Sequence, residues 1–254
     1  MSQNVSSQVL FHFTKSLNAI KSILKEGFFP HFCPEYTLEQ VDKELADAGL
    51  PPKYSIPMVS FCDLPLSLVS NHLNNYGNFG IGLKKSWGLH NGLAPVIYTH
   101  SKAKTRPPMS RLFHSSLAEN KDKSSKDMEF LAAYSKPYEG PAWRDGKVQK
   151  NVRFYDEREW RFVPPVPHSS GLFISDPKGT GLTEVVQDVY KDFYSLKVTP
   201  DDIQYLIVEY DMGETNVIKL HDFIMQSFGQ RFTRKDAILV STAIMTHDCI
   251  RDDI

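Results

Sequence analysis

Two glutamates in the segment Tyr155–Phe162 have a spacing that suits carboxylate chemistry. Glu157 and Glu159 are separated by one residue, and Arg161 follows two positions later. On a strand these three side chains would share one face, because alternate residues point to the same side. Two adjacent carboxylates raise the pKa of one member and are costly unless a cation or a hydrogen-bonded ligand lies between them. Such a pair can stabilise a developing positive centre and activate an acceptor, as in glycoside cleavage.

The same spacing is also typical of a structural ion-pair ladder, and the sequence leaves both interpretations open. In the catalytic interpretation Glu159 has the main role, because it lies nearer the apolar half of the strand, and Glu157 assists it. The strand itself is predicted over Val152–Val163 and ends at the prolines that follow.

A second polar group lies near the start of the chain. A short strand is predicted over Val9–Thr14, with His12 and Thr14 on one face. Asn18 follows one helical turn later. An imidazole and a hydroxyl can both donate and accept hydrogen bonds, which suits recognition of ribose hydroxyls and a carboxamide. A hydrogen-bonded structural histidine is the alternative interpretation of His12.

A third group begins at Ser60 and Phe61, where a predicted strand over Pro57–Cys62 leads into a polar turn. Tyr76 lies further along, after a predicted short helix. Backbone amides in the turn and these aromatic rings could hold an aromatic base or a nicotinamide.

The elements expected to position these groups are short strands and helices. Ser16 is predicted to cap a helix with an apolar stripe that ends at Gly27. Further strands are predicted at Phe79–Leu83, Pro95–Tyr98 and Ile203–Tyr210, and further helices at Leu66–Leu73 and Val217–Phe228. We expect one domain, 1–254, because the length is within the range that one core can organise.

The segment 101–127 has few large apolar residues, contains Pro107-Pro108 and has seven basic and three acidic residues. This composition predicts a flexible basic insertion. It is either a solvated loop or an arm that contacts RNA or DNA.

The overall composition excludes several classes of protein. A formal net charge of −1 gives no global field to hold a polyanion. Three cysteines without paired spacing argue against a disulfide framework or a thiolate zinc site, and the nine histidines are scattered, so no metal site is expected. No signal peptide and no apolar run long enough to span a bilayer are found, which predicts a cytoplasmic protein without membrane contact.

Several runs of residues carry a family resemblance when they are taken together. They are Leu10–Thr14 with Asn18, Ile23–Phe28, Val59–Pro65, Tyr76–Leu83 and Glu157–Arg161. This combination resembles the AbiGi family of abortive phage infection proteins over most of the chain. The order of the motifs also looks like that of ADP-ribosyltransferases of the DarT type, which modify DNA or RNA.

The second resemblance implies an α+β fold of the ADP-ribosyltransferase type, with two facing, mostly antiparallel sheets and peripheral helices. NAD would be the co-substrate, and RNA or DNA the acceptor. His12 and Thr14 would bind the ribose and carboxamide with support from Asn18. The residues flanking nicotinamide would be Ser60, Phe61 and Tyr76, and Glu159, assisted by Glu157, would be catalytic.

The resemblance also implies a toxin of a phage-defence toxin–antitoxin system, restrained by a cognate antitoxin protein. The alternative is a catalytically silent antitoxin or infection sensor, and simple NAD hydrolysis is a third possibility. The transferase interpretation requires His12 and the two glutamates to line one crevice large enough for a dinucleotide.

Overall fold

A computed structural model of the chain describes residues 7–35, 54–116, 123–144, 147–165, 174–175, 194–212, 215–228 and 232–253. The strands are β1 (Val9–Thr14), β2 (His31–Glu35), β3 (Tyr54–Cys62), β4 (Phe79–Lys84), β5 (Ala94–Pro95), β6 (Ile97–Thr99), β7 (Ser135–Pro137), β8 (Gly140–Arg144), β9 (Lys147–Val152), β10 (Glu159–Phe162), β11 (Ile174–Ser175), β12 (Ile203–Val208) and β13 (Ile244–Thr246). The α-helices are α1 (Leu17–Glu26), α2 (Ser70–Tyr76), α3 (Lys85–His90), α4 (Arg106–Ser116), α5 (Lys123–Ala133), α6 (Asn216–Phe223), α7 (Arg234–Ser241) and α8 (His247–Asp253). The prediction of a mixed α+β fold is confirmed. Within the described ranges, no helix combines the length and the apolar character needed to cross a bilayer.

The chain forms two compact units, each made of segments that are distant in sequence. Unit 1 consists of Met1–Phe28, Ser60–Leu93 and Ser195–Ile254. Unit 2 consists of Phe29–Val59 and Ala94–Tyr194. The expectation of a single domain stays a prediction.

Unit 1 is built on the strand order β13-β12-β4-β1. β1 is antiparallel to β4 over its whole length, from Val9 opposite Lys84 to Thr14 opposite Phe79. β12 is antiparallel to β4 and parallel to β13. One hydrophobic cluster of unit 1 consists of Phe11, Leu64, Val69, Leu73, Ile207 and Ile250. Phe11 and Phe13 thus face this cluster, and His12 and Thr14 point to the other side of β1.

Helix α1 begins and ends as the sequence predicts. The Ser16 hydroxyl accepts a hydrogen bond from the backbone N–H of Ala19 at 3.2 Å, which caps the first turn. Its buried stripe consists of Ile20, Ile23 and Leu24. Gly27 ends the helix with φ of +89°, and a Cβ at this position would lie 2.6 Å from the carbonyl oxygen of Leu196. Glycine is therefore required here both by the backbone angle and by the space available.

Unit 2 is built around the first part of β3. β2 is antiparallel to β3, from His31 opposite Met58 to Glu35 opposite Tyr54. β10 follows β3 in the strand order and pairs with β5, while β6 pairs with β7 and β8 with β9. A hydrophobic cluster of unit 2 consists of Ile56, Met58, Ala133, Tyr134 and Val163.

The strand predicted over Pro95–Tyr98 is in fact two short strands with different partners. β5 pairs with β10, and β6 pairs with β7. The change of partner follows Val96, whose N–H donates to the carbonyl oxygen of Glu159 at 2.9 Å, whereas the N–H of Ile97 donates to that of Tyr134 at 2.7 Å.

The basic segment 101–127 also differs from its prediction. Helices α4 and α5 cover much of it, so the expected lack of regular structure is wrong over these residues. Pro107 and Pro108 lie in the first turn of α4, where a missing N–H costs no hydrogen bond. Arg106 is buried and donates to the carbonyl oxygen of Thr99 at 3.2 Å. Residues 117–122 lie outside the described part of the chain.

Candidate functional site

Strand β10 carries the glutamate that was predicted to be catalytic. Along it Glu159 and Arg161 are buried, whereas Trp160 and Phe162 are half-buried. This alternation is the one expected for a strand whose inner face carries Glu159 and Arg161. The prediction that these two side chains share a face is confirmed by their direct contact, with Arg161 Nε 2.6 Å from Glu159 Oε1.

Glu157 does not lie on this strand, and the predicted strand over Val152–Val163 is wrong over its first half. The residues Phe154–Glu157 form a 3₁₀ turn. Arg158 then adopts a left-handed conformation with φ of +44°, which interrupts an extended chain. Glu157 therefore does not come to the buried side through strand alternation.

Lys136 on β7 nevertheless brings the two glutamates together. Its Nζ lies 2.9 Å from Glu157 Oε2 and 2.9 Å from Glu159 Oε2. The same ammonium group lies 4.7 Å from the ring centroid of Phe154, a distance that allows a cation–π contact. The carboxylate pair thus has the cation that its spacing demands, and the cation is a side chain of the protein.

Arg161 completes the network and is fully buried. Besides its bond to Glu159 Oε1, it places Nη2 3.0 Å from Glu159 Oε2 and 2.9 Å from Glu35 Oε1. Its Nη1 donates to the carbonyl oxygen of Ala133 at 2.8 Å. We refer to Glu35, Lys136, Glu157, Glu159 and Arg161 as the buried charge cluster. All five belong to unit 2.

The neighbouring cations keep Glu159 ionised. Burial alone would raise its pKa, but the attraction of Arg161 and Lys136, together with the hydrogen bonds from both, holds the pKa of Glu159 well below its usual range. Conversely, the carboxylates outweigh the effect of burial on the two cations, and the pKa values of Lys136 and Arg161 lie above their usual range. Glu159 is therefore ionised at neutral pH in the folded protein.

Glu35 is the remaining carboxylate of a cluster that has three acids and two cations. Burial, opposed by Arg161 and Lys136 and reinforced by Glu159 and Glu157, raises the pKa of Glu35. Glu35 therefore takes up a proton more readily than Glu159 does. As the pH falls, protonation of Glu35 favours the folded state, whereas protonation of Glu159 favours the unfolded state.

We expect Glu159→Gln to remove part of the pH dependence of stability. The folded pKa of Glu159 is lowered, so its contribution is present above the unfolded pKa of about 4.3 and is lost as the pH falls below it. The stability gap between wild type and Glu159→Gln should therefore narrow by up to about 1.4 kcal/mol per pH unit below that value. Urea unfolding at pH values from 7 to 3 measures this gap.

Glu139→Gln is a matched control for this experiment. The Glu139 side chain is 51% exposed, and its carboxylate lies 3.9 Å from His100 Nε2. Its substitution should leave stability within about 0.5 kcal/mol of wild type at every pH. A gap for Glu159→Gln that stays constant down to pH 3 would contradict the assignment of an ionised carboxylate.

His12 occupies a different environment, in unit 1. Its Nδ1 lies 2.9 Å from the carbonyl oxygen of Ser60, which can only accept, so Nδ1 is the protonated nitrogen. The imidazole meets the ring of Phe28 edge-on at 5.1 Å and that of Phe61 at 5.6 Å. Trp87 contacts both phenylalanine rings. The structure thus brings together three of the residues predicted to bind NAD, namely His12, Ser60 and Phe61.

Tyr76 lies apart from that group. Its ring stacks on His72 at 5.8 Å, and His72 in turn contacts Phe13. Because Phe13 and His12 are neighbours on β1, their side chains point to opposite faces of the sheet. Thr14 is half-buried at the end of the strand, and Asn18 is exposed on α1. The arrangement favours a shared role for His12, Ser60 and Phe61 more than for the whole predicted set.

The predicted cofactor-binding residues lie in unit 1 and the two glutamates in unit 2. That they line one crevice stays a prediction. Sequence reasoning missed Lys136 and Glu35, because neither has a local spacing that links it to β10. The cost of two adjacent carboxylates indicates that a cation is needed, but not which one. Among the described residues, no group of three or more histidine, cysteine, aspartate or glutamate side chains could hold a metal ion.

Comparison with known proteins places the chain in a family. The sequence model of a family described as abortive phage resistance protein AbiGi, antitoxin, matches residues 26–209. The chain belongs to the AbiGi family. The AbiGi match includes every member of the buried charge cluster, whereas His12 lies before it. The resemblance to AbiGi that the motifs indicate is therefore confirmed.

A named AbiGi relative matches nearly the whole chain. The abortive phage resistance protein AbiGi of Lactococcus lactis subsp. cremoris is 26% identical over 257 residues, which covers 89% of this chain and 99% of that protein. No solved structure matches the chain.

Proposed function

We propose that this AbiGi protein acts in abortive phage resistance as an antitoxin, a binding protein that restrains a partner toxin without turnover of its own. The observation that carries the proposal is the buried charge cluster. The carboxylates expected to be catalytic are held by Lys136 and Arg161 in hydrogen-bonded ion pairs with little exposure. Such a network suits a structural role, because separating its members would leave buried charges uncompensated. The antitoxin description of the family supports the same function.

Depletion of the protein in its native host tests this role. A degradation tag on the chromosomal copy should stop growth when the protein is removed, and disruption of the partner toxin gene should abolish that arrest. Supplying wild type from a second locus should restore growth, and Glu159→Gln should restore it to the extent that the variant is folded, since a binding role needs the fold and not a reactive carboxylate. Continued growth after complete depletion, with the neighbouring genes intact, would contradict an antitoxin role.

A second candidate is an NAD-dependent ADP-ribosyltransferase toxin with two facing sheets, as the DarT-type resemblance implies. The observation that favours it is that Glu159 is kept ionised, which is the state needed to stabilise a positive centre as nicotinamide leaves. In this candidate Glu157 assists Glu159, and His12 and Ser60 lie close enough to act together on the NAD ribose. The acceptor would be RNA or DNA, and the partner would be the restraining antitoxin.

Incubation with labelled NAD distinguishes the two candidates. Purified protein is mixed with labelled NAD and total RNA, DNA or cell lysate, and wild type is compared with Glu159→Gln. A transferase labels a macromolecule, and the substitution abolishes the label. Free ADP-ribose without a labelled macromolecule indicates NAD hydrolysis. No product under any of these conditions, together with growth arrest on depletion, supports the antitoxin.

A further inference from the structure

A row of aromatic rings lies in unit 2 and has no part in the function proposed above. Tyr98 meets Tyr155 edge-on at 5.4 Å, and Tyr155 stacks on Tyr138 at 5.1 Å with an angle of 24° between the ring planes. His100 lies against Tyr138 at 5.8 Å. We refer to Tyr98, Tyr155, Tyr138 and His100 as the aromatic row. Two of its members face solvent, since Tyr155 is 47% exposed and the His100 side chain is 47% exposed.

The backbone under the aromatic row is held by hydrogen bonds. The N–H of Tyr155 donates to the carbonyl oxygen of Tyr138 at 3.2 Å, and the N–H of Tyr138 donates to that of Thr99 at 3.0 Å. At the inner end, the Tyr98 hydroxyl accepts a hydrogen bond from the backbone N–H of Glu159 at 2.8 Å. The rings are thus fixed in position before any ligand arrives, which lowers the entropy cost of binding.

The buried charge cluster holds the two segments that carry the row. Lys136 precedes Tyr138 by two residues and forms ion pairs with Glu157, which follows Tyr155 by two residues. The ammonium and carboxylate groups are buried while the tyrosine rings lie further out. Two contacts therefore join the segments of Tyr138 and Tyr155. They are the buried ion pair of Lys136 with Glu157 and the stacking of the two tyrosine rings.

The segments that carry the aromatic row contain more exposed basic than acidic residues. The exposed basic residues are Lys102, Lys104, Lys150 and Arg153, and the exposed acidic residues are Glu139 and Asp156. Lys102 is tied to the row, because its backbone N–H donates to His100 Nδ1 at 3.1 Å. Arg153 has a 59% exposed side chain, and its contact with Asp156 is a loose one at 3.9 Å. Lys102 and Arg153 are therefore exposed next to members of the row in the sequence, where they can contact phosphate groups.

We propose that the aromatic row is a binding site for single-stranded nucleic acid. Exposed rings that stack on bases, flanked by Lys and Arg that follow the phosphate backbone, are the arrangement with which proteins hold unpaired strands. A duplex keeps its bases stacked inside and presents none to the rings. An unpaired base packs against the exposed part of the Tyr155 ring, while Arg153 and Lys102 contact the phosphates.

Fluorescence anisotropy with a labelled 12-nucleotide single-stranded RNA of mixed sequence tests the site. The full-length protein should bind at low salt and bind less tightly as salt increases. Tyr155→Ala should weaken binding about tenfold or more, since one base loses its stacking partner. Tyr155→Phe retains a ring and should bind within about twofold of wild type. Circular dichroism and thermal unfolding establish that each variant is folded.

Tyr210→Ala is the matched control, because Tyr210 is 51% exposed and belongs to unit 1. It should leave RNA binding unchanged. The proposal is overturned if wild type does not bind the RNA at low salt, if the duplex of the same sequence binds equally well, or if Tyr155→Ala and Tyr210→Ala have equal effects. Loss of partner-protein binding in Tyr155→Ala, without any RNA binding by wild type, would assign this surface to a protein and also overturn the proposal.

Discussion

Replacing Arg161 by methionine is expected to lower the free energy of unfolding by about 3–5 kcal/mol, the usual cost of removing one member of a buried ion pair. The guanidinium holds both oxygens of Glu159, one oxygen of Glu35 and the carbonyl of Ala133. Methionine fills similar space but donates no hydrogen bond, so Glu159 and Glu35 both lose the guanidinium that holds them. Urea unfolding at pH 7 measures the loss. An unchanged m-value would show that wild type and variant expose the same amount of surface on unfolding.

Arg153→Met is the matched control for this substitution. Its guanidinium is mostly exposed and lies 3.9 Å from Asp156, so the change should be within about 1 kcal/mol. The double variant Arg161→Met, Glu159→Leu should recover part of the loss, because the second substitution removes a carboxylate that the first one leaves without its guanidinium partner. If the free-energy loss of the double variant equals the sum of the losses of Arg161→Met and Glu159→Leu, packing rather than charge explains the cost.

Local patterns were sufficient to predict the elements that depend on neighbours in the sequence. β1 and α1 follow from the alternation of His12 with its neighbours and from the cap at Ser16, and both occur with the predicted bounds. The contact between Glu159 and Arg161 follows from a two-residue period on one strand. In these cases the residues that decide the structure lie within about one helical turn or a few strand positions of one another.

The pairing of Glu157 with Glu159 shows where local patterns fail. The prediction placed both on one strand, but Arg158 turns the chain, and the contact depends on Lys136, which precedes Glu157 by 21 residues. A partner brought by tertiary structure leaves no periodic trace in the sequence. The spacing indicated that the two carboxylates interact, whereas the choice between a catalytic pair and an ion-pair network depends on which distant cation approaches.

Helix α4 shows the same limit for a different reason. A pair of prolines and many charges suggested an irregular segment, but prolines at the first turn of a helix are compatible with it. Arg106 directly precedes them and is buried against the carbonyl oxygen of Thr99. Burial of one arginine in a charged stretch depends on tertiary contacts, so a count of charges cannot predict it.

Gly77→Ala is expected to lower the free energy of unfolding by about 3 kcal/mol or more, since a strained backbone and a steric overlap add together. Gly77 has φ of +125°, a region that residues with a side chain rarely adopt. A Cβ at this position would overlap the carbonyl oxygen of Thr14 and lie 2.8 Å from the Cα of Lys15. Both obstacles are backbone atoms, which cannot rotate away, so the link from α2 to β4 would have to move from the end of β1.

Gly92→Ala is the comparison variant without the steric overlap and with a smaller backbone penalty. Gly92 also has a positive φ, of +73°, but a Cβ there would meet no heavy atom within 4 Å. Only the backbone penalty applies, and we expect a loss of about 1 kcal/mol, measured by urea unfolding beside Gly77→Ala. Because Thr14 and Tyr76 flank the position of overlap, Gly77→Ala should also displace two of the predicted binding residues, whereas Gly92→Ala should leave them in place. Equal losses in the free energy of unfolding would contradict the steric part of this prediction. They would show that the short distance between Gly77 and Thr14 does not destabilise the variant, and that only the backbone angle requires glycine.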